Sequence, residues 1–225
     1  MAHESSEVVQ GKLTQSPARF IAFEGIDGCG KTTVLSHCSR RLDRQGVSHI
    51  VTREPGGTPI GEKIRELLLD PSHASLDQRA EVLLYTASRA QHARERIAPA
   101  LEKGVWVLAD RYADATLAYQ GYGRGLGPEI LRPFQEWATR GLWPHLTVLL
   151  DCPAETAWSR RKNRGTKEDR LEQESPSFHE SVRRGYLELA RAEPGRFLIL
   201  DASRDLEEVL EDFDDRLALR FKPCQ

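Results

Sequence analysis

The stretch Gly25-Ile26-Asp27-Gly28-Cys29-Gly30-Lys31-Thr32 fits the pattern G-x-x-x-x-G-K-[ST], and no other segment restricts the fold of this chain so tightly. The pattern works only between a strand and a helix, and both flanks fit. Residues 19–24 are apolar and β-prone, while residues 31–45 read as a helix ended by Gly46. Glycines let the backbone turn with its N–H groups inward, making a nest for a phosphate at a helix N-terminus that already carries partial positive charge. All eight residues are therefore expected around the phosphates of a nucleoside triphosphate. Lys31 should bridge the β- and γ-phosphates, and the Thr32 hydroxyl should ligate Mg²⁺. Cys29 is read as a small residue tolerated by the loop, since phosphoryl transfer needs no thiol.

The same alternation continues down the chain. Strands are expected at 48–52, 105–109, 146–150 and 197–200. Helices are expected within 58–69, 77–101, 113–120, 128–140 and 205–218, and another with Pro153 at its N1 position. Short, continuous apolar strands separated by helices imply an α/β fold, with a five-stranded parallel sheet flanked by helices on both faces. No repeat or linker divides residues 18–225, so they read as one P-loop domain, and the polar residues 1–17 read as a flexible N-terminal extension.

Composition removes several function classes. Lys plus Arg total 32 against 34 Asp plus Glu, so a net charge of −2 offers no global attraction to nucleic acid or to an anionic membrane. Apolar runs such as 105–109 and 146–150 fall far short of the roughly 20 residues needed to cross a bilayer. Residues 1–17 lack the apolar core of a secretory signal. Cys29, Cys38, Cys152 and Cys224 form no CxxC pair and no zinc-like spacing, which points to a reducing cytoplasm, and the seven histidines are scattered singly.

A phosphate loop alone does not separate kinases from GTPases or motor ATPases, so the remaining motifs must decide. Asp110 and Arg111 follow the third strand at the edge where parallel sheets face their ligands. Asp110 is placed to reach the metal through water, and Arg111 offers a fork to a second phosphate, that of an acceptor. After the second strand, Thr52-Arg53-Glu54-Pro55-Gly56-Gly57-Thr58 forms a rigid turn from which Arg53 can reach an anion.

Taken together, GIDGCGKTT, TREPGGT, ADRY…AYQG and DRLEQE lie in an order and spacing that resemble the bacterial type of thymidylate kinase across roughly residues 19–203. The resemblance implies the P-loop nucleoside monophosphate kinase fold with a mobile lid, ATP with Mg²⁺ as donor, dTMP as acceptor, and a homodimer. It implies that Asp27 touches the sugar 3′-hydroxyl and phosphate region of dTMP. Tyr85 would stack on the base and Arg89, one helical turn later, would bond the thymine carbonyl. Contacts from Thr116 to thymine and from Gln120 belong to the same pattern, and Tyr119 would crowd a ribose 2′-hydroxyl and so favour deoxyribose. Ala115 stands where relatives often carry serine, which removes one hydrogen bond. The glycines 121, 123, 125 and 127 suggest a mobile loop, from which Arg124 would reach the acceptor only on closure.

The lid is placed at about 160–175, where six basic and four acidic side chains surround Gly165 with almost nothing apolar to bury. Thymidylate kinases resemble one another in carrying a catalytic arginine either in the phosphate loop or in the lid. Gly28 and Cys29 leave this loop without one, so the lid should supply it, with Arg164 first and Arg160 and Arg170 as the other candidates. No general base is needed, because a nucleotide phosphate oxygen is already anionic. Lys31, Arg111, Asp27 and a lid arginine then act by position and charge. The rival readings are a kinase for another nucleoside monophosphate or a deoxynucleoside, and a P-loop switch protein. The absence of a guanine-reading NKxD and the presence of Arg53, Arg89 and Arg111 argue against the switch.

Overall fold

The computed structural model describes residues 17–162 and 168–221. Five parallel strands, β1 (Phe20–Glu24), β2 (His49–Arg53), β3 (Trp106–Asp110), β4 (Leu146–Asp151) and β5 (Phe197–Asp201), form one sheet in the order β2-β3-β1-β4-β5. In register, Ile21 lies between Leu108 and Leu146, and Phe23 lies opposite Asp110. Every residue of β1 is fully enclosed, as a strand whose two faces are both covered must be. Its alternate residues serve two cores: Ile21 and Phe23 join one with Leu108, Val148 and Leu150, while Phe20 and Ala22 join the other with Val107, Ala109 and Tyr112. The chain passes from β3 across β1 to reach β4, so the carboxyl end of β1 opens on the crevice where ligands of open α/β sheets bind.

The helices are α1 (Lys31–Arg44), α2 (Pro59–Leu69), α3 (Gln78–His92), α4 (Ala98–Glu102), α5 (Ala113–Thr116), α6 (Pro128–Thr139), α7 (Ala154–Lys162), α8 (Pro176–Ala192) and α9 (Leu206–Arg220). Their ends follow local chemistry. The Thr58 hydroxyl caps α2 by accepting from Gly61 N at 3.0 Å, and Asp77 caps α3 from Arg79 N and Ala80 N. Val209, Phe213 and Leu217 recur at helical spacing as the buried stripe of α9.

Three expectations change. The single helix expected over 77–101 is α3 and α4 joined by a π-helical turn at Ala93–Ile97. Pro153 stands one position earlier than expected, outside the helix, and its carbonyl accepts from Ala157 N at 3.0 Å. The glycine run after α5 is not a loose loop at its start. A π-helical turn at Leu117–Gly123 packs on α8, and a Cβ on Gly123 would lie 2.8 Å from both Phe178 and Val182, so glycine there serves close packing. The N-terminal extension of 1–17 falls outside the described residues but for Pro17. Among the described residues, no helix is long and apolar enough to cross a membrane.

Candidate active site

The phosphate loop leaves β1 at Glu24 and enters α1 at Lys31. Gly25, Gly28 and Gly30 have φ of 132°, 95° and 98°, a region that side chains rarely adopt. Space enforces glycine as well: a Cβ at Gly25 would lie 2.5 Å from the Leu150 carbonyl oxygen, and one at Gly28 would lie 2.2 Å from that of Ala157. The side chains of Ile26 and Cys29 are buried in the core, so these two residues offer the loop's backbone to a ligand. Lys31 Nζ donates to the carbonyls of Gly25 at 3.0 Å and Ile26 at 3.1 Å, and lies 3.5 Å from the Asp27 carboxylate. The Thr32 hydroxyl donates to Asp110 Oδ2 at 3.3 Å, which brings the two expected metal-side oxygens together across 78 residues.

Arg111, one residue beyond β3, sits at φ 72°, the left-handed region where a non-glycine residue is strained. Its guanidinium explains the posture. Nη2 donates to Asp27 Oδ1 at 2.6 Å and Tyr119 Oη at 2.9 Å, while Nη1 donates to the Gly25 carbonyl at 3.0 Å and Tyr186 Oη at 3.1 Å. Tyr119 Oη in turn donates to Asp27 Oδ2 at 3.0 Å. Burial alone would raise the proton affinity of Asp27, but the charges of Arg111 and Lys31 and the hydrogen bonds from Arg111 and Tyr119 outweigh it and hold the carboxyl well below the usual range. Burial would likewise lower the pKa of Arg111, and Asp27 reverses that. The cluster is therefore a fixed ion pair at the end of the phosphate loop. Beneath it, Glu24 accepts from Tyr186 Oη and from Tyr112 N, both at 2.6 Å. Burial of this carboxyl outweighs the nearby Arg111 and pushes it up to about 7.

The cleft above the cluster has a cavity volume of about 150 Å³ and is lined by Arg53, Tyr85, Arg89, Thr116, Tyr119 and Gln120, the residues expected on the acceptor side. Its far end is built on a buried polar network centred on one arginine. Arg89, 1% exposed, donates Nε to Glu54 at 2.7 Å, Nη1 to Thr116 and Gln135 at 2.9 and 2.5 Å, and Nη2 to the Tyr112 carbonyl at 3.0 Å. Glu54 also pairs with His92 at 2.9 Å. Arg89 and Thr116 are thus positioned by each other, as sequence spacing alone did not require. Gln120 Nε2 donates to Glu81 at 2.8 Å. Arg53 is more than half exposed and pairs with Glu62 at 2.9 Å.

The lid candidates separate. Arg164 lies outside the described residues. Arg170 departs from its expected place on the transferring phosphate: it is buried, donating Nε to the Leu68 carbonyl at 2.8 Å and pairing Nη2 with Glu81 at 2.6 Å, so it braces α2 against α3. Arg160 donates to the Ala202 carbonyl at 2.7 Å and lines a second pocket of about 280 Å³ with Gly28, Gly30, Thr33 and Arg204. Arg124, expected to swing in with a mobile loop, is instead paired with Glu81 and Glu174.

Sequence reasoning missed Glu24, Tyr186, Glu54 and Arg204. Tyr186 sits on α8, which was not anticipated, although Phe178, Val182, Tyr186 and Leu189 recur at 3- and 4-residue spacing behind the Ser175-Pro176 start. Glu24 carried a signal too: a carboxylate ending an otherwise apolar buried strand requires partners.

Comparison with known proteins agrees with this geometry. The sequence profile of the family described as Thymidylate kinase matches residues 23–213. A thymidylate kinase of Carboxydothermus hydrogenoformans is 53% identical over 191 residues, covering 85% of this chain and 92% of its own. One of Trichlorobacter lovleyi is 47% identical over 207 residues (90% and 98%), and one of Symbiobacterium thermophilum is 49% identical over 207 residues (90% and 96%).

Proposed function

The chain belongs to the thymidylate kinase family, and from that premise we propose that it transfers the γ-phosphoryl group of ATP to dTMP, giving ADP and dTDP for dTTP synthesis. The observation that carries the reading is the cluster of Asp27, Arg111 and Tyr119. It stands at the junction of a phosphate loop and a cleft lined by an aromatic ring, an arginine and a threonine. A phosphate loop with a second, preorganised cation facing an acceptor cleft suits transfer between two phosphates.

In this reading the loop N–H groups and Lys31 hold the donor's β- and γ-phosphates, Lys31 exchanging its contacts with the Gly25 and Ile26 carbonyls for phosphate oxygens. The pocket shared by Arg160 and Arg204 beside Gly28 takes the donor's base end. Arg111, held in place by Asp27, receives the acceptor phosphate in exchange for contacts its fork now makes within the protein. Tyr85 stacks on thymine, Arg89 and Thr116 bond it, Gln120 flanks it, and Tyr119 crowds the sugar's 2′ position. Arg53 adds positive charge at the acceptor's entrance. Arg164 supplies the lid cation. Thr32 and Asp110 present only oxygens, the donor set Mg²⁺ prefers, and it needs few protein ligands when phosphates complete its shell. When bound, Mg²⁺ neutralises charge on the phosphates. The anionic acceptor oxygen needs no base.

The quaternary reading is a homodimer. Ile60 and Leu67 of α2, Leu83 of α3, and Ile130, Phe134 and Trp137 of α6 are exposed on three neighbouring helices, and Trp137 is 81% exposed. Large apolar side chains gathered this way mark a protein interface. Cys29, Cys38 and Cys152 are unpaired and buried, which suits a cytoplasmic enzyme.

The test is a coupled assay of ADP release across dTMP, dUMP, dCMP, AMP and thymidine. The reading predicts turnover of dTMP well above all others. Preference for another acceptor would reassign the substrate, and ADP release indifferent to any acceptor would remove the kinase reading.

A further inference from the structure

Glu24 is a buried carboxyl that the transfer reaction leaves without a task. It ends β1, a strand otherwise apolar, and no part of it reaches solvent. A carboxyl in such a place is unfavourable unless its oxygens are well used by neighbours. What they hold is the turn that carries Arg111. That residue stands at φ 72°, a left-handed posture that a residue with a side chain keeps only when its surroundings fix it.

Two planar peptide groups flank Arg111, and fixing both defines its backbone angles. The first, between Asp110 and Arg111, is held by the sheet: Arg111 N donates to the Phe23 carbonyl at 3.0 Å, and the Asp110 carbonyl accepts from Glu54 N at 2.9 Å. The second, between Arg111 and Tyr112, lies beyond the end of β3. There the side chain of Glu24 stands in for a strand, its Oε1 accepting from Tyr112 N at 2.6 Å. Its Oε2 accepts from Tyr186 Oη at 2.6 Å, and that hydroxyl also takes a bond of 3.1 Å from Arg111 Nη1. One carboxyl thus meets the backbone that follows Arg111 and the hydroxyl beside its guanidinium. On the far side the Tyr112 carbonyl accepts from Arg89 Nη2 at 3.0 Å, so Tyr112 has no slack through which the turn could relax. We propose that Glu24 is a positioning residue for phosphoryl transfer, clamping the Arg111–Tyr112 peptide and so holding the strained turn that aims Arg111 at the acceptor phosphate.

The inference rests on Arg111 receiving the acceptor phosphate, and the experiment separates the two. Affinities for dTMP and for ATP are each measured by calorimetry, with thermal melting, for the unaltered protein, Glu24→Met, Glu24→Gln, Arg111→Ala and the double variant Glu24→Met with Arg111→Ala. Methionine keeps the bulk of the side chain but offers Tyr112 N no oxygen. Glu24→Met should weaken dTMP binding at least about tenfold and leave ATP affinity within about threefold. Glu24→Gln, whose amide oxygen can accept from Tyr112 N, should recover most of the loss. In the Arg111→Ala background, Glu24→Met should change dTMP affinity by less than about twofold, because the clamp has nothing left to aim. If Glu24→Met does not fold, Glu24→Asp carries the same comparison, one methylene too short to reach the amide. Unchanged dTMP affinity with a lowered melting point would make Glu24 a packing residue and overturn the proposal. An equal loss with and without Arg111 would overturn it as well, since Glu24 would not act through that arginine. If Arg111→Ala alone binds dTMP as tightly as the unaltered protein, the reading of Arg111 fails, and this inference with it.

Discussion

Glu24→Gln probes the foundation of the site through stability alone. The carboxyl is fully buried, and burial raises it from 4.5 to about 7 against the opposing pull of Arg111. In the unfolded chain the same group ionises near 4.5. Between these values the folded protein retains a proton that the unfolded chain has released, so the folded state binds more protons and stability must fall as pH rises. The contribution is complete below about pH 4.5 and is lost as pH rises through 7. The gap between the two values corresponds to about 3 kcal/mol. Glutamine mimics the protonated form: its oxygen can accept from Tyr112 N, and its amide can donate to Tyr186 Oη, which keeps a lone pair for Arg111. Urea unfolding of both proteins from pH 4.5 to 8 is the assay. The unaltered protein should lose about 3 kcal/mol relative to Glu24→Gln across that range, most of it between pH 5 and 7.5. Parallel curves would show that Glu24 is ionised in the fold and refute the assignment of burial as the dominant influence.

Arg164→Ala should lower kcat more than about tenfold with little change in dTMP affinity, read from steady-state kinetics and acceptor binding. Arg89→Met removes the common partner of Glu54, Thr116 and Gln135, and chemical denaturation should show a loss of about 3–5 kcal/mol, since a buried carboxylate is left without its cation. Trp137→Glu should convert a dimer to a monomer by light scattering, with melting temperature changed little because this side chain is 81% exposed in the isolated subunit.

Much of the scaffold was legible because its signals are local. Alternating apolar strands and glycine punctuation placed all five strands within a residue or so, and the phosphate loop fixed the end of β1. Pairs joined by long sequence separation were visible only in part. Thr32 and Asp110 were each marked by motif, as were Asp27, Arg111 and Tyr119, and the structure brings both groups together. What periodicity could not show is which charges answer each other. Arg170 was expected on the transferring phosphate and Arg124 in a mobile loop that closes on the acceptor, but both meet Glu81, a residue buried on α3 whose need for partners appears only once α3 is packed. Glu24 and Tyr186 stand 162 residues apart, and their pairing depends on α8 crossing the strand end.

The central claim is phosphoryl transfer from one nucleotide to another at the Asp27–Arg111 junction. Phosphorus-31 NMR of ATP, dTMP and Mg²⁺ with enzyme follows it directly. The account predicts resonances of dTDP and ADP growing in equal amounts with no inorganic phosphate, and their disappearance in Arg111→Ala. ATP converted to ADP and inorganic phosphate with dTMP left intact would contradict it.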